Sequence, residues 1–414
     1  MLQPNPLETQ PAKPRLPIPP PLMMSEAGSF ANLTLCQRWP TILQRVMAEN
    51  DFPPSINQNL ETLSQELPDG MVRSLHDDTG PDLAAWASYI APYQGQRWID
   101  VPWFFAEVYL YRRILEATHY FLPGQWQGVD PFAPQKWDSL AKVMPSIPAM
   151  IYQINQFINS RGNATNAIAL LYFALWGNRV DLSLFPTDAQ EQERTRIETS
   201  EEQAHILVDD TSTIADRIIS FKRVQIDFII DNAGFELLCD LCLADFLLTT
   251  EAADQIYFHL KPHPLFVSDA MIQDVLYTVE VLVADSDREL QLLGHRLQDH
   301  IKQSRLICCD DFFWTSPLPF WEMPEQLRTN LAQSQLIFSK GDANYRRLLG
   351  DCEWPFTTPF TDIVSYFPAP LAALRTLKAE LAAGLQPQQV NTLNQKDPHW
   401  LTNGQWGVIQ FVDT

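Results

Sequence analysis

The stretch VQIDFIIDNAGFE, residues 224–236, decides the fold. An apolar run ends at Asp231-Asn232 and Gly234, and a helical apolar pattern follows at once, which predicts a buried parallel strand, a tight turn and a helix. In open α/β sheets ligands bind outside the carboxyl ends of the strands. A carboxylate beside a carboxamide at such an end, with no thiol or imidazole next to them, suits a hard or borderline divalent cation.

The residues after about 221 alternate short apolar runs with helical stretches. This alternation predicts a three-layer α/β/α sandwich with a mainly parallel sheet. The predicted strands are Val224–Ile230, Gln255–Leu260, Arg305–Cys309, Gln335–Phe338, Asp362–Tyr366 and Trp406–Val412. The predicted helices of this part are Gly234–Thr249, Asp269–Ser286, Asp287–Gln303, Ala343–Leu349 and Pro370–Ala383. We therefore expect residues 221–414 to form one α/β/α domain, which contains the candidate cation site at Asp231-Asn232.

The residues before this domain have a different pattern. Residues 23–220 are predicted to form a mainly helical N-terminal part, with helices at Leu35–Glu49, Asp82–Ile90, Trp103–Ala117, Trp137–Asn159 and Asn166–Trp176. Residues 1–22 are rich in proline and form an extended arm, which is either solvated or lies along the body. The charged stretch 188–205 is either a solvated helix or a linker.

Composition limits the possible partners. The chain has 414 residues, 46% of them hydrophobic, and a formal net charge of −21 at pH 7. That charge argues against nucleic acid or an anionic membrane as a partner. An anionic substrate would need a local group of Lys and Arg residues, or a metal. With no signal peptide and no membrane-spanning run in the sequence, we expect a cytoplasmic protein.

The six cysteines do not have the spacing of a disulfide framework. Cys239 and Cys242 follow the helical spacing of a core, and no second CxxC pair makes them a zinc site. Cys308-Cys309 falls in a strand-like apolar run, and we interpret that pair as packing too. The cysteines therefore indicate a reducing compartment.

Four polar segments come directly after predicted strands, at residues 231–236, 261–269, 310–315 and 340–345. In a doubly wound sheet all four would face one crevice. Each also has a simpler structural reading: Asp231, Asn232 and Asp269 are good helix caps, and Lys340-Gly341-Asp342 is an ordinary turn composition. The joint occurrence favours a functional site.

Several other chemistries lack their sequence signals. No two glycines are separated by one residue, so the GxG loops of dinucleotide and methyl-donor sites are missing. A P-loop, a GxSxG elbow and an HExxH helix are absent as well. An aspartyl-phosphate route is disfavoured because Ala233, and not a second carboxylate, lies two residues after Asp231.

The chain resembles the damage-control phosphatase family, long catalogued as domain of unknown function 89. Its nearest subgroup within that family is the one related to acidic-residue methyltransferase-like proteins. The matching segments run from about Pro20 to the C-terminus. They are PPLMMSEAGSFA at 20–31, DVPWFFAEVYLYRRI at 100–114, LWGNRVDLSL at 175–184, DNAGFE at 231–236, FVSDAMIQD at 266–274, SKGDANYRRLLGD at 339–351 and RTLK at 375–378. The RTxK element marks the subgroup.

The resemblance implies a function for particular residues. It implies that Asp231, Asn232 and Asp269 bind a divalent metal (Mn, Co or Ni, with Mg as a further option) and form the catalytic centre. The substrate-binding residues that it implies are Glu236, Lys340, Gly341, Asp342, Asn344, Arg375 and Lys378. Arg375 and Lys378 would hold the phosphate of a small phosphorylated metabolite.

The activity that the resemblance implies is metal-dependent hydrolysis of small phosphomonoesters. The substrates would be sugar phosphates, of the fructose-1-phosphate type, or damaged phosphometabolites. Two alternatives remain open: an S-adenosylmethionine-dependent protein carboxyl methyltransferase, an activity also ascribed to this subgroup, and a non-catalytic protein that binds a phosphorylated metabolite. The missing glycine-rich loop weighs against the first alternative. The sequence does not predict an oligomeric state.

Overall fold

A computed structural model of the chain describes residues 13–76, 79–160, 162–177 and 203–413. Within these residues, seven strands form one sheet in the order β1-β7-β6-β5-β2-β3-β4. The strands are β1 (Ile206–Asp209), β2 (Val224–Ile229), β3 (Ala253–Leu260), β4 (Leu306–Asp310), β5 (Leu336–Lys340), β6 (Leu371–Thr376) and β7 (Gly407–Val412). Strands β2 to β6 run parallel to one another, and β7 is antiparallel to β6.

Most of the longer helices before the sheet have an amphipathic sequence, with one apolar face and one polar face. The helices of this part are α1 (Phe30–Leu33), α2 (Trp39–Glu49), α3 (Pro54–Glu66), α4 (Leu83–Ile90), α5 (Trp103–Ala117), α6 (Ala133–Val143), α7 (Pro148–Asn159) and α8 (Ala164–Trp176). A π-helical segment, Thr34–Arg38, joins α1 to α2. Helix α5 is apolar almost all round and is buried along most of its length, which is typical of a helix at the centre of a core.

The helices that alternate with the strands cover both faces of the sheet. They are α9 (Thr211–Ser220), α10 (Phe235–Thr249), α11 (Ile272–Ala284), α12 (Arg288–Lys302), α13 (Glu325–Leu331), α14 (Gly341–Leu348), α15 (Phe360–Ile363) and α16 (Pro387–Lys396). Helix α10 is buried from Phe235 to Leu248. None of the helices described has both the length and the apolar character needed to cross a bilayer.

The core consists of two hydrophobic clusters, one on each face of the sheet. Successive residues of β2 alternate between them: Ile226 and Phe228 belong to one cluster and Ile229 to the other. Both clusters also contain side chains from the helices before the sheet, such as Trp103 in one and Leu170 in the other. The helical N-terminal part therefore packs onto the sheet and shares its core.

The structure confirms the predicted α/β class and five of the predicted strands, but the region after 360 differs. Residues 362–366, predicted as a strand, include the end of the short helix α15, and the predicted helix Pro370–Ala383 contains strand β6. The LAALRT run is apolar enough to fit either a buried strand or a buried helix. In the structure it is a strand, because it pairs with β5 on one side and β7 on the other.

The sheet begins earlier than the predicted boundary near 221. Strand β1 starts at Ile206 and pairs with β7 at the edge of the sheet. The sequence analysis missed it because β1 has only four residues and follows the charged stretch 188–205. Most of that stretch, residues 188–202, lies outside the described residues. The division into domains itself stays a prediction.

The described end of the proline-rich arm lies along the body of the protein. Pro21 forms a β-bridge with Cys352, Leu22 N donates to Asp351 O at 2.8 Å, and Arg15 N donates to Asp362 O at 3.2 Å. For residues 13–22 the structure therefore favours the second of the two predicted arrangements. Residues 1–12 lie outside the described residues.

Candidate active site

The candidate site lies where the order of the parallel strands reverses. The chain passes from β2 to β3 and β4 on one side, and β5 and β6 lie on the other, so β2 and β5 form the switch point of the sheet. Asp231 and Asn232 follow β2, and Gly341 follows β5. Because parallel strands share one carboxyl edge, these residues meet there.

Two loops are joined by backbone pairing at this edge. Asn232 forms an isolated β-bridge with Asp269. Ala233 N donates to Ser268 O at 2.7 Å, and Ala270 N donates to Asp231 O at 2.8 Å. These contacts fix Asp269 beside the end of β2, although it lies 38 positions away in sequence.

The loop before Asp269 has an unusual backbone. Phe266 has φ 48° and Val267 has φ 67°, and a left-handed conformation is strongly disfavoured for a β-branched residue. The Phe266 ring packs on Tyr111, with ring centroids 5.3 Å apart, and on Phe104, at 6.0 Å. Helix α5 thereby stabilises the strained turn that presents Ser268 and Asp269.

Asp231 and Asp269 are two buried carboxylates of one cluster, 5% and 1% exposed. Burial and the neighbouring Asp269 and Glu236 raise the pKa of Asp231 well above its ordinary value, against the opposing charges of Lys261 and Lys378. Burial also raises the pKa of Asp269, against the effect of Lys261. Asp231 Oδ1 is buried without a hydrogen-bond partner. The neighbouring lysines therefore do not restore the ordinary pKa of either carboxyl group.

Asn232 connects Asp231 to Glu236. Its Nδ2 donates to Asp231 Oδ2 and to Glu236 Oε2, both at 2.8 Å, and its Oδ1 accepts from Ser268 Oγ at 2.5 Å. Glu236 lies in the first turn of α10 and is 5% exposed. The structure thus brings Asp231, Asn232, Glu236 and Asp269 together.

Gly341 lies against the Asp231 side chain. Its φ is +81°, and a Cβ added there would overlap the Asp231 carboxylate. Gly341 is also the first residue of α14, where backbone N–H groups lack acceptors within the helix and the helix dipole is positive. A glycine at this position lets the helix start directly at the carboxylate.

Lys378 is the exposed cation at this site. It lies two residues after β6 and is exposed, and its charge acts on Asp231. Asp342 positions it, because Asp342 Oδ1 accepts from Lys378 N at 3.0 Å. No hydrogen bond of the Lys378 ammonium is found within the described part of the chain.

Arg375 has a structural position. It is 1% exposed, and its guanidinium donates from Nε to Asp342 Oδ1 at 2.8 Å, from Nη1 to Leu381 O at 2.8 Å and from Nη2 to Ala379 O at 3.2 Å. Through these hydrogen bonds the Arg375 guanidinium fixes the loop that carries Lys378. Of the two residues predicted to hold phosphate, the structure presents Lys378 to solvent and buries Arg375.

Lys340 and Asn344 also point into the protein. Lys340 Nζ lies 2.8 Å from Asp240 Oδ1 and 3.7 Å from Glu236 Oε1, and it donates to Ala174 O. Asn344 Nδ2 donates to Lys340 O at 2.9 Å and to Ile230 O at 3.2 Å, which ties β5 to the end of β2. Both residues therefore hold the strands and helix that carry the site, through contacts inside the protein.

From the sequence alone, Asp240 and Asp245 on the helix after the turn are expected to face solvent. In the structure both are completely buried, so that prediction is wrong. Burial raises the pKa of Asp240 to about 7, although Lys340 opposes the shift. Asp245 instead pairs with Arg296 at 2.7 Å. The error arose because α10 is buried on all sides, so its polar positions do not mark an exposed face.

Lys261 is a site residue that the sequence analysis did not select. It follows β3 directly, and its Nζ lies 3.0 Å from Asp269 Oδ2 and donates to Ile230 O at 2.7 Å. It opened one of the four segments after predicted strands. Its place immediately after the strand next to β2 was the signal that could have identified it.

Other expected neighbours of the site lie elsewhere. Asp311 accepts from Phe313 N at 2.7 Å and caps the 3-10 helix Phe312–Thr315, beyond edge strand β4. The space beside Gly234 is filled by Ser139 Oγ, 2.7 Å from where a Cβ would stand. Arg112 of helix α5 forms a buried ion pair with Asp82. The third of the four segments is thus not part of the cluster.

The side chains of the cluster carry oxygen atoms of the kind that hold hard cations. Within the described ranges, no three His, Cys, Asp or Glu side chains are arranged as a metal site. Asp231, Asn232 and Asp269 instead offer two carboxylates and an amide. All three are oxygen donors, as Mg²⁺ or Mn²⁺ would need.

Comparison with known proteins identifies the family of this chain. The model of the damage-control phosphatase ARMT1-like domain matches residues 34–393. Damage-control phosphatase ARMT1 of Mus musculus is 34% identical over 94% of this chain and 98% of its own length, and that of Danio rerio is 34% identical over 93% and 95%. A solved DUF89 family protein from Pyrococcus horikoshii is a distant likeness, 13% identical with a TM-score of 0.43, covering 84% of this chain and 91% of that one.

With a family model that spans most of its length and relatives that match nearly end to end, the chain belongs to the damage-control phosphatase ARMT1-like family.

Proposed function

We propose that this chain is a metal-dependent phosphatase that hydrolyses small phosphomonoesters, either sugar phosphates or damaged phosphometabolites. The observation that carries the proposal is the buried carboxylate cluster. In it Asp231 Oδ1 has no hydrogen-bond partner, and the positive charge of exposed Lys378 acts on Asp231. Membership of a damage-control phosphatase family supports the same activity.

Asp231, Asn232 and Asp269 would hold the metal. A cation would supply the missing partner of Asp231 Oδ1 and offset the repulsion between the carboxylates. When bound, a divalent cation supplies charge stabilisation and water activation for phosphoryl transfer. Mn²⁺, Co²⁺ and Ni²⁺, with Mg²⁺ as a further option, stay predictions from the resemblance.

The amide of Asn232 would have to turn for this role. In the structure its nitrogen faces Asp231 and Glu236, which is the favourable orientation between two carboxylates without a cation. Rotation of the amide would place its oxygen there and its nitrogen toward Ser268. Ser268 Oγ accommodates either orientation because a hydroxyl both donates and accepts.

The chain's own cationic groups would bind the phosphate. Lys378 is exposed, its charge reaches Asp231, and Asp342 holds its backbone. The start of α14 at Gly341 adds N–H groups that have no acceptor within the helix, and a positive helix end, beside the Asp231 side chain. Such pre-positioned charges stabilise the transferring phosphoryl group more than they stabilise the ground state.

The deciding experiment is phosphate release from a panel of sugar phosphates and p-nitrophenyl phosphate. Each substrate is assayed with added Mn²⁺, Co²⁺, Ni²⁺ or Mg²⁺, and with a chelator as control. We expect release that the chelator abolishes and that Asp231→Asn lowers by at least about 100-fold. Metal binding by calorimetry gives an independent readout, which Asp231→Asn and Asp269→Asn should both weaken.

The same preparation tests the two alternatives. Tight binding of S-adenosylmethionine with methyl transfer to a protein carboxylate, and no phosphate release, would favour the methyltransferase. Stabilisation by a sugar phosphate without turnover under any metal would favour a binding protein. Either outcome would overturn the phosphatase proposal. The cytoplasmic location stays a prediction.

A further inference from the structure

A second set of chemically active side chains lies on the sheet, away from the carboxylate cluster. Asp227, His259 and Cys309 come from the adjacent strands β2, β3 and β4, where His259 is directly opposite Cys309 in the register. The alternation of each strand places all three on the same face, opposite to Phe228, Phe258 and Cys308.

These side chains form a continuous hydrogen-bonded line. His259 Nε2 lies 2.9 Å from Asp227 Oδ2, and His259 Nδ1 lies 3.6 Å from Cys309 Sγ. Asp227 Oδ1 accepts from Ser334 Oγ at 2.6 Å and from Gln225 Nε2 at 3.0 Å. The Trp314 ring packs edge-on against the imidazole, with ring centroids 5.4 Å apart. This contact and the two contacts of the ring nitrogens fix the position of the His259 ring.

The line fixes where the imidazole carries its proton. Asp227 already accepts two hydrogen bonds through Oδ1 and is an acceptor for His259 as well, so Nε2 is the protonated nitrogen in the neutral ring. Nδ1 then faces the Cys309 thiol. Burial alone would lower the pKa of His259, but the hydrogen bonds to Asp227 and Cys309 outweigh it and raise the pKa to about 9.

The neighbouring cysteines lack this arrangement. Cys308 lies on the other face of β4 beside the hydrophobic cluster, and burial raises the pKa of its thiol to about 12. Cys36 is exposed, and Cys239, Cys242 and Cys352 are buried. Cys309 is partly exposed, so it combines access to solvent with an adjacent imidazole. The sequence analysis interpreted Cys308-Cys309 as packing. In the structure Cys309 also contacts the imidazole of His259, so packing does not account for all of its surroundings.

We propose that Cys309 is a reactive thiol, activated by His259 and Asp227, that forms a mixed disulfide with small water-soluble disulfides such as oxidised glutathione. The Cys309 thiol loses its proton to solvent, and the charged His259 ring beside it stabilises the resulting thiolate. The thiolate then attacks one sulfur of the disulfide; a new S–S bond forms to Cys309, the old S–S bond breaks, and the second sulfur leaves with the electron pair as a thiolate. The proposal does not depend on the proposed phosphatase activity.

The test is the rate of mixed-disulfide formation at each cysteine of the reduced full-length protein at neutral pH. Oxidised glutathione is the reagent, and peptide mass spectrometry follows each site. An ordinary thiol is only a few per cent ionised at neutral pH, so an imidazolium partner should make Cys309 react about tenfold or more faster than Cys36. The variants Cys308→Ser and Cys309→Ser separate the adjacent sites: the fast reaction should persist in the first and vanish in the second.

The role of the imidazole is tested by His259→Gln. It should lower the rate at Cys309 by about tenfold and leave the rate at Cys36 unchanged. The order of rates in the unchanged protein decides the question even if that variant does not fold. A faster reaction at Cys36 than at Cys309, or an unaltered Cys309 rate in His259→Gln, would overturn the proposal.

Discussion

Gly341 and Asp231 occupy adjoining space so closely that a Cβ at position 341 would overlap the Asp231 carboxylate. The overlap also includes Asp231 Cβ, at 2.7 Å, so rotating the carboxylate does not relieve it. Asp231 follows β2 and Gly341 follows β5, the two paired strands at the switch point, so the contact joins the ends of both strands. The contact shows that the start of α14 and the end of β2 act as one unit.

Gly341→Ala should therefore destabilise the protein and disturb the carboxylate cluster. A left-handed backbone costs a residue with a Cβ about 1–2 kcal/mol, and the steric overlap adds to this. Gly95→Ala is the matched control, because Gly95 has φ +77° and nothing lies within 4 Å of its added Cβ. Thermal unfolding should show a larger loss for Gly341→Ala, and phosphate release should fall only in that variant. Equal losses in both variants would contradict the contact.

Lys378→Ala should remove activity without affecting stability. The side chain is exposed, and its backbone contact with Asp342 remains in the variant. Loss of a charge that stabilises the transition state should lower kcat/KM by about 100-fold, with no shift of the unfolding temperature. Lys222→Ala serves as the control, since Lys222 is also exposed but precedes β2, at the opposite edge of the sheet. Unchanged kinetics in Lys378→Ala would exclude Lys378 from phosphate binding.

Arg375→Leu should instead destabilise the fold. Its guanidinium pairs with Asp342 and donates to the carbonyls of Ala379 and Leu381, and the substitution leaves all three acceptors without it. Breaking a buried ion pair in this way costs about 3–5 kcal/mol. Chemical denaturation measures the loss. If Arg375→Leu were as stable as the parent while losing activity, Arg375 would be a direct substrate ligand after all.

The sequence predicted the position of the site better than the orientation of its side chains. The strand–turn–helix pattern at 224–236 correctly located Asp231 at a strand end, because an apolar run followed by polar residues and glycine has few other solutions. The directions of Lys340 and Arg375 could not be predicted in this way. Both are charged residues at strand ends, and whether such a residue points to the cleft or to a buried partner depends on Asp240 and Asp342, which come from other elements.

Errors in the strand assignment have a similar origin. LAALRT at 371–376 lacks the alternation that marks a half-buried strand because β6 is buried on both faces. The line formed by Asp227, His259 and Cys309 was invisible for another reason: its members are brought together only by the register of three strands.

The buried pair of Lys340 and Asp240 gives a test of whether Lys340 acts on the substrate. Burial acts to lower the pKa of Lys340, but Asp240 and Glu236 outweigh it and raise the pKa. Lys340→Met should cost about 3–5 kcal/mol, since it leaves a buried carboxylate without its cation, and Lys340→Met with Asp240→Leu should recover most of this. Urea denaturation follows the recovery. If the stable double variant releases phosphate, Lys340 supports the site; if it is inactive, Lys340 contacts the substrate.

The pair of His259 and Asp227 should make stability depend on pH in alkaline solution. The folded-state pKa of His259 is raised from 6.5 to about 9, so the stability that the charged imidazole contributes is complete below 6.5 and is lost as the pH rises through about 9. The free energy of unfolding should therefore fall over this window in the parent protein. Asp227 and Cys309 are the ionisable groups that face the ring. Cys309→Ser separates thiol ionisation from that of the imidazole, because the serine variant should keep most of the fall. His259→Gln should flatten it, and a curve parallel to the parent's in that variant would show that His259 is not charged in the folded protein.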